Sequence, residues 1–384
     1  VILRRESPVL RAGAAAAIVL CLAWSLGGQA RLGRIDPALA LPLLAFPALL
    51  LAWVQRDAAP AVRRRTIGAA LGVILFGQAL LALILSVRPP WLQLGLVALG
   101  WIVIAFAADA LFQWRRGRVV TFLLAAVATL GWFVGSHALL PTLYRPASGA
   151  GAPVTMLTGL PLRWSEGSDL AAMLAQGVNE DPALVRLRAA GPVALVDSIV
   201  DHPPAPEAAL LIAHPRALAP QELVAIDGFV RGGGRAVILA DALTGWPMRH
   251  PIGDPRNPPL TSLLTPLLDH WGVTLGGVTP TDRRTIPADV DGARLQLFTV
   301  GRFERLPPGC RAYADRRVAH CRIGRGDVWL VGDADLLFEP LWAPDTRWAT
   351  HLRKADTMEW LASLLWDDAP RALLQPLWIR PSAG

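Results

Sequence analysis

The chain has 384 residues, 53% hydrophobic and only 17% charged. Ordinary soluble proteins carry charge on about a quarter of their residues, so the composition excludes a wholly soluble chain, and the length allows two or three domains. The net charge of +7 is unevenly placed: residues 1–144 hold 13 Arg against 4 acids, whereas 145–384 hold 24 Lys and Arg against 26 acids. A nucleic-acid binder needs a clustered basic face on its folded domain. The basicity here belongs to the apolar first part, and nucleic acid is not an expected partner.

That first part breaks into five apolar runs, Val9–Gln29, Ala38–Val54, Ile67–Val87, Trp91–Phe112 and Val119–Leu140. A membrane helix needs about 20 such residues to cross roughly 30 Å of hydrocarbon, so residues 1–144 are expected to form a five-span helical bundle in contact with lipid. A cleaved signal peptide does not explain four further runs. With the N-terminus inside, the inside segments hold ten arginines (Arg4, Arg5, Arg11, Arg56, Arg63, Arg64, Arg65, Arg115, Arg116 and Arg118), and the outside ones hold four (Arg31, Arg34, Arg88 and Arg145). The positive-inside rule then puts the rest of the chain outside, which in a bacterial inner membrane means the periplasm.

Few polar groups interrupt the spans. They are Gln78, Asp109 and His137. Asp109 lies close enough in sequence to Arg115 and Arg116 for an interfacial ion pair, and a permease path would need more polarity than this. The bundle reads as an anchor or a docking surface. Cys21 falls in the first run. Cys310 and Cys321 bracket an alternating stretch, CRAYADRRVAHC, that suits a β-hairpin and leaves open a disulfide, allowed in an oxidising compartment, or two reduced thiols. The spacing is not that of a metal site.

Residues 145–153 form an Ala/Gly/Ser-rich linker, and 154–384 alternate between strand and helix patterns. Val154–Gly159 reads as a buried strand, Asp169–Ala175 and Leu184–Ala190 as helical pieces, and Val193–Val200 and Ala208–Ala213 as strands. Pro220 suits a helix start, Leu223, Ile226, Phe229 and Val230 recur at helical spacing, and Gly232–Gly234 stop the helix before the buried strand Arg235–Asp241. Strand, helix and strand with short links make a βαβ unit and a parallel sheet. A helix over Leu260–Trp271, a strand over Leu295–Val300, another over Asp327–Gly332 and a helix over Thr357–Trp366 follow. The expected class is α/β, an open and largely parallel sheet with helices on both faces.

Missing motifs narrow the chemistry. There is no Walker A loop, no H-E-x-x-H, no C-x-x-C, no G-x-S-x-G and no G-x-G-x-x-G after a strand. The chain is therefore not a P-loop ATPase and is not expected to be an enzyme, and it calls for no cofactor. Ligands of open α/β sheets bind beyond the carboxyl ends of the strands. Trp164 and Glu166 fall there after the first strand, Asp241 after RAVILA, and Asp333 and Asp335 after DVWLV. Paired carboxylates could hold a cation or act as acid and base, and Asp in such loops is also an ordinary cap or turn former. Asn179-Glu180-Asp181 reads as a solvated turn, and His214 and His250 as loop residues beside prolines.

The stretch AALLIAHPRALAPQELVAIDGFVRGGGRAVILAD resembles the extracytoplasmic domain of the auxiliary component of gliding-motility-type ABC transporters. Its strand, Ala-Pro, amphipathic helix, Gly-Gly pair and strand ending in Ala-Asp are Ala208–Ala213, Ala219-Pro220, Gln221–Arg231, Gly233-Gly234 and Arg235–Asp241, and Val331–Leu336 with Trp360-Leu361 add a second element. The same pattern occurs in glutamine-amidotransferase-like and flavodoxin-like domains. The resemblance covers about residues 150–370 and implies a non-catalytic subunit that works with a separate ABC ATPase and a multi-span permease. Five spans depart from the one or two anchors more usual there. The alternatives are a membrane-bound enzyme acting on an envelope glycan or amide, and a structural or sensory envelope protein.

Overall fold

A computed structural model describes residues 7–86, 88–114, 117–146, 151–164, 177–251, 253–254, 256–346, 348–366 and 372–380. The chain divides into two compact units: residues 1–145 with 346–352 and 372–384, and residues 146–345 with 353–371. The two late segments therefore leave the α/β domain to which the sequence pattern assigns all of 154–384.

The first unit is built from α1 (Pro8–Ser25), α2 (Gln29–Leu32), α3 (Ala45–Val54), α4 (Pro60–Leu85), α5 (Trp91–Gln113) and α6 (Arg118–Tyr144). Prolines open α1 and α4, where a missing N–H costs nothing. The exposed side chains on the long helices are large and apolar, Phe76, Ile84, Leu99, Val127 and Leu130 among them, as a lipid-facing surface requires. Among the described residues, four helices are long and apolar enough to cross a membrane, and the count reaches five if the bent pair Pro37–Leu43 and Ala45–Val54 is one span. That pair, bent by 59°, stands where the pattern predicts one straight helix. Pro42 and Pro47 explain the break, since each removes a helical donor and crowds the preceding turn.

Several polar groups of this unit are paired, while the Gln55 side-chain amide and the His351 ring are buried without a hydrogen-bond partner among the described residues. Asp109 accepts from the Arg63 Nε on α4 at 2.8 Å, a partner 46 positions away; Arg115 and Arg116, the neighbours that the sequence suggests, lie outside the described residues. At the other ends of the helices, Arg34 and Asp36 are fully buried and joined at 2.7 Å. The Tyr144 hydroxyl donates to the Asp36 carboxylate at 2.5 Å, and the Arg34 guanidinium donates to the His351 carbonyl at 2.6 Å. Gln78 faces Gln29 across 3.5 Å, and His137 packs edge-on against Phe133 and Trp348.

The last segment completes the unit through its backbone. Ile35 N–H donates to the Leu377 carbonyl at 2.8 Å, Ile379 N–H to Gly33 at 2.9 Å and Leu374 N–H to Leu143 at 2.9 Å. Buried main-chain groups of irregular connectors must find partners, and these connectors find them in residues 372–380.

The second unit contains β1 (Val154–Thr158), β2 (Arg163–Trp164), β3 (Asn179–Glu180), β4 (Val193–Val196), β5 (Ala209–Ala213), β6 (Arg235–Leu239), β7 (Thr274–Leu275), β8 (Thr285–Val290), β9 (Ala293–Phe298), β10 (Phe303–Arg305), β11 (Arg311–Tyr313), β12 (Val318–Ile323) and β13 (Gly326–Val331). Seven of them form one sheet in the order β11-β12-β13-β6-β5-β1-β4. The five strands β13, β6, β5, β1 and β4 run parallel, and β12 and β11 add an antiparallel edge.

Both faces of the sheet are covered. Met156, Leu211, Val237 and Val331 feed one core with Leu184, Leu187 and Leu361 from helices, and Leu210, Ile212, Ile238 and Leu330 feed the other with Ile226, Val230 and Leu267. The period-two alternation thus serves two cores at once, which is why these strands read as continuous apolar runs. Burial of each such side chain contributes about 1.5–3 kcal/mol.

Two local expectations change. The helix predicted over Leu260–Trp271 is only Thr265–His270, because Leu260 and Ser262 are engaged by main-chain bonds to Thr244 and Asp241. Asn179-Glu180-Asp181 is not a solvated turn: Asn179 and Glu180 pair with Trp164 and Arg163, and Asp181 caps the helix Pro182–Ala190. The stretch Asp169–Ala175 lies outside the described residues.

Candidate functional site

Asp241 and Asp333 are brought together by strand register. Parallel β6 and β13 pair Leu239 with Val331, the Ala240 N–H reaches the Val331 carbonyl at 2.8 Å, and each acid lies two residues beyond the paired position. Asp335 follows at the start of a short turn, Asp335–Leu337. One carboxylate oxygen from each of the three lies within 4.8 Å of the other two. Exposure is 0% for Asp241 and Asp333 and 1% for Asp335.

Glycines make this closeness possible. A Cβ on Gly332 would lie 2.3 Å from the Gly301 carbonyl oxygen, and one on Gly245 would lie 2.3 Å from the Phe298 ring. Neither position accepts a side chain without moving backbone or an aromatic wall.

The three acids are unequally satisfied. Asp335 accepts from the Gly245 N–H at 2.5 Å and from the hydroxyls of Thr299 and Thr244 at 2.9 and 3.2 Å. Asp333 Oδ2 accepts from the Phe298 N–H at 2.7 Å, and Asp241 Oδ1 from the Leu243 N–H at 3.1 Å. Asp241 Oδ2 and Asp333 Oδ1 are buried and have no partner of good geometry among the described residues.

Burial, and then repulsion from the neighbouring carboxylates, pushes Asp241 and Asp333 well above the ordinary carboxylate range. Burial raises Asp335 too, against the donors that favour its charged form. A buried group of like charges resists full ionisation unless protons or a hard cation offset the charge. Oxygens at this separation can all reach one ion at the 2.3–2.6 Å bonds of calcium. A cavity of about 210 Å³ opens on Asp241 and is otherwise lined by Thr261, Ser262, Thr265 and Asp269.

Trp164 stands apart from the acids. It borders a second cleft of about 640 Å³ at the ends of β1 and β5, which also takes in Arg163, Arg216, Arg249, Arg256 and His250. The Arg249 guanidinium lies over the Trp164 ring, 5.4 Å from its centroid. Glu166 lies outside the described residues. Arg163 lies on β2, Arg216 follows β5, and Arg249 and Arg256 share the connection after β6, so the cleft arginines carry no sequence signature. His214, fully buried, is joined through Nε2 to the Pro259 carbonyl at 2.7 Å, and burial lowers its pKa so that the ring stays neutral. Cys310 and Cys321, opposite one another on the β11–β12 hairpin, are joined by a disulfide with Cα atoms 4.2 Å apart.

The segment that carries the strand-helix-Gly-Gly-strand unit and Asp241 is also the one with a family match. Residues 183–290 match the auxiliary family described as an ABC-type uncharacterized transport system. The match to this auxiliary transport family ends before Asp333 and Asp335. Comparison with curated proteins gives no match.

Among solved structures, the chain is similar to the exo-beta-1,4-mannosidase Op5Man5 from Opitutaceae bacterium strain TAV5, at 14% identity and a TM-score of 0.32, over 66% of this chain and 40% of that one. A polyextremophilic beta-galactosidase from the Antarctic haloarchaeon Halorubrum lacusprofundi gives 15% identity and a TM-score of 0.33, over 64% and 34%. The cytoplasmic protein STM3548 from Salmonella typhimurium gives 12% identity and a TM-score of 0.29, over 57% and 99%. The chain thus spans less than half the length of the two glycosidases, and likenesses this distant carry no assignment of activity.

Proposed function

We propose that this chain is a non-catalytic, membrane-anchored auxiliary subunit of an ABC-type transport system, of the gliding-motility or export kind, whose α/β domain binds a ligand or a partner outside the cytoplasm. The observation that carries the reading is the family match over residues 183–290 on a chain that also carries four to five apolar helices. A subunit without a Walker A loop depends on a separate ATPase, and a bundle whose apolar runs are interrupted by so few polar residues depends on a separate permease for its path.

Three features support an inner-membrane location with the α/β domain in the periplasm. Arginine weighting favours an inside N-terminus. The bent pair, counted as one span, keeps the total odd. The Cys310–Cys321 bond suits an oxidising compartment. The strand order, with β1 flanked by β4 and β5, supports a flavodoxin-like doubly wound arrangement for the domain.

Purification of the tagged protein from native membranes in mild detergent, followed by mass spectrometry of stoichiometric partners, tests the assignment. The expected result is an ABC ATPase together with a multi-span permease. Recovery of the chain alone, at detergent concentrations that preserve known membrane complexes, overturns it.

A further inference from the structure

The 640 Å³ cleft lies apart from the acid cluster, and its chemistry is of the opposite sign. We propose that it binds a small ring compound bearing an oxyanion, with Arg163, Arg216 and Arg249 holding the phosphate or carboxylate and Trp164 receiving the ring. This rests on the proposed binding role of the α/β domain, but not on the transporter partners.

Position is the first argument. β1 pairs with β4 on one side and β5 on the other, so the chain leaves β1 and β5 where the strand order reverses. In open parallel sheets the crevice outside that point is the ligand site. The volume falls within the range of about 300–1,000 Å³ common to small-molecule pockets.

Backbone geometry is the second. A Cβ on Gly159, just after β1, would sit 2.7 Å from the His214 carbonyl oxygen and 3.0 Å from the Arg216 nitrogen. His214 itself takes a φ of 47° at the exit of β5, a left-handed conformation that costs free energy for a residue with a side chain. The ring is held in place by the Pro259 carbonyl. The outcome of this tight, strained exit is that Arg216 reaches the cleft.

Charge is the third. Arg256 is matched by Asp254 at 2.7 Å. Arg163 and Arg216 have no carboxylate partner among the described residues, Arg216 making a 3.3 Å bond to the Asn257 carbonyl, whereas Arg249 lies over the Trp164 ring and is attracted to the Asp181 carboxylate. The acid of the lining, Asp181, already accepts the Ala183 N–H at 2.9 Å as a helix cap. Guanidinium groups in excess over carboxylates, beside an indole face, select an anion attached to a ring.

The test is calorimetric titration of the full chain in lipid nanodiscs with glucose 6-phosphate, glucuronate and glucose. Binding of the phosphate, the carboxylate or both is expected, with little or none for glucose, and which acid binds assigns the anion. In the Arg163→Gln/Arg216→Gln double variant the affinity should fall by about tenfold or more. Arg322→Gln, an exposed change outside the cleft, and Asp241→Asn should leave it unchanged. No binding of either acid, equal binding of glucose, or full affinity in the double variant overturns the proposal. Because the chain is titrated alone, a failed search for an ATPase partner does not affect the result.

Discussion

Asp241 and Asp333 extend two adjacent parallel strands by the same number of residues, so the sheet itself sets their carboxylates side by side in a fully buried place. With Asp335 they form a group that cannot ionise completely without compensation.

A pH dependence follows. Groups whose folded pKa is raised bind more protons folded than unfolded, so their stabilising effect is complete below the ordinary carboxylate pKa and is lost as pH rises toward the raised value. In a metal-free buffer the melting temperature of the α/β domain should decline over that range. Asp241→Asn or Asp333→Asn should flatten the decline and raise stability at pH 7.5 by about 1 kcal/mol, or roughly 2–4 °C. Thermal melts from pH 4 to 8 decide it, and an unchanged slope in both variants refutes the account.

Glu359 behaves in the opposite sense. Burial alone would raise it, but Arg353 and Arg186, at 3.4 and 2.8 Å, outweigh burial and hold it below its ordinary value. Its contribution is present above the usual glutamate range and is lost as pH falls through the depressed value. Glu359→Gln should cost about 1–2 kcal/mol at pH 7, since the cluster is partly open to solvent. The cost should shrink toward pH 3 in urea melts.

Much of this was legible in the chain. Asp241, Asp333 and Asp335 each follow a buried apolar run, and a run that ends in an acid marks the carboxyl end of a strand. The β11–β12 hairpin was visible in its alternation. The arginine cleft was not, because Arg163 on β2, Arg216 after β5, and Arg249 and Arg256 after β6 are brought together only by the strand order. The Arg63–Asp109 bond was not legible either, since it depends on how α4 packs on α5 across 46 positions. The bend after Leu43 was foreshadowed by Pro42 and Pro47, which a hydropathy window averages away.

Reduction of the Cys310–Cys321 bond should lower the stability of the α/β domain by about 2–3 kcal/mol, as for a loop of this length. Melts with and without dithiothreitol measure it. In intact cells, alkylation of both cysteines only after reduction supports the extracytoplasmic location, and alkylation without reduction argues against it.

In the helical unit, Asp36→Asn and Arg34→Met should each be costly, by about 3–5 kcal/mol, because each leaves the other charge buried without its partner. The double variant should lose less than the sum of the two. Melts in nanodiscs of the four proteins close the cycle, and strict additivity would show that the pair is not coupled.

The strap of residues 372–380 has a bearing on biosynthesis. Helices α1 to α6 enter the membrane early, yet the amides of Ile35 and the carbonyls of Gly33 and Leu143 wait for Leu377, Ile379 and Leu374. These helices therefore finish packing only once residues 372–380 have been synthesised, after the entire α/β domain, and deletion of that strap should be felt as a loosened bundle.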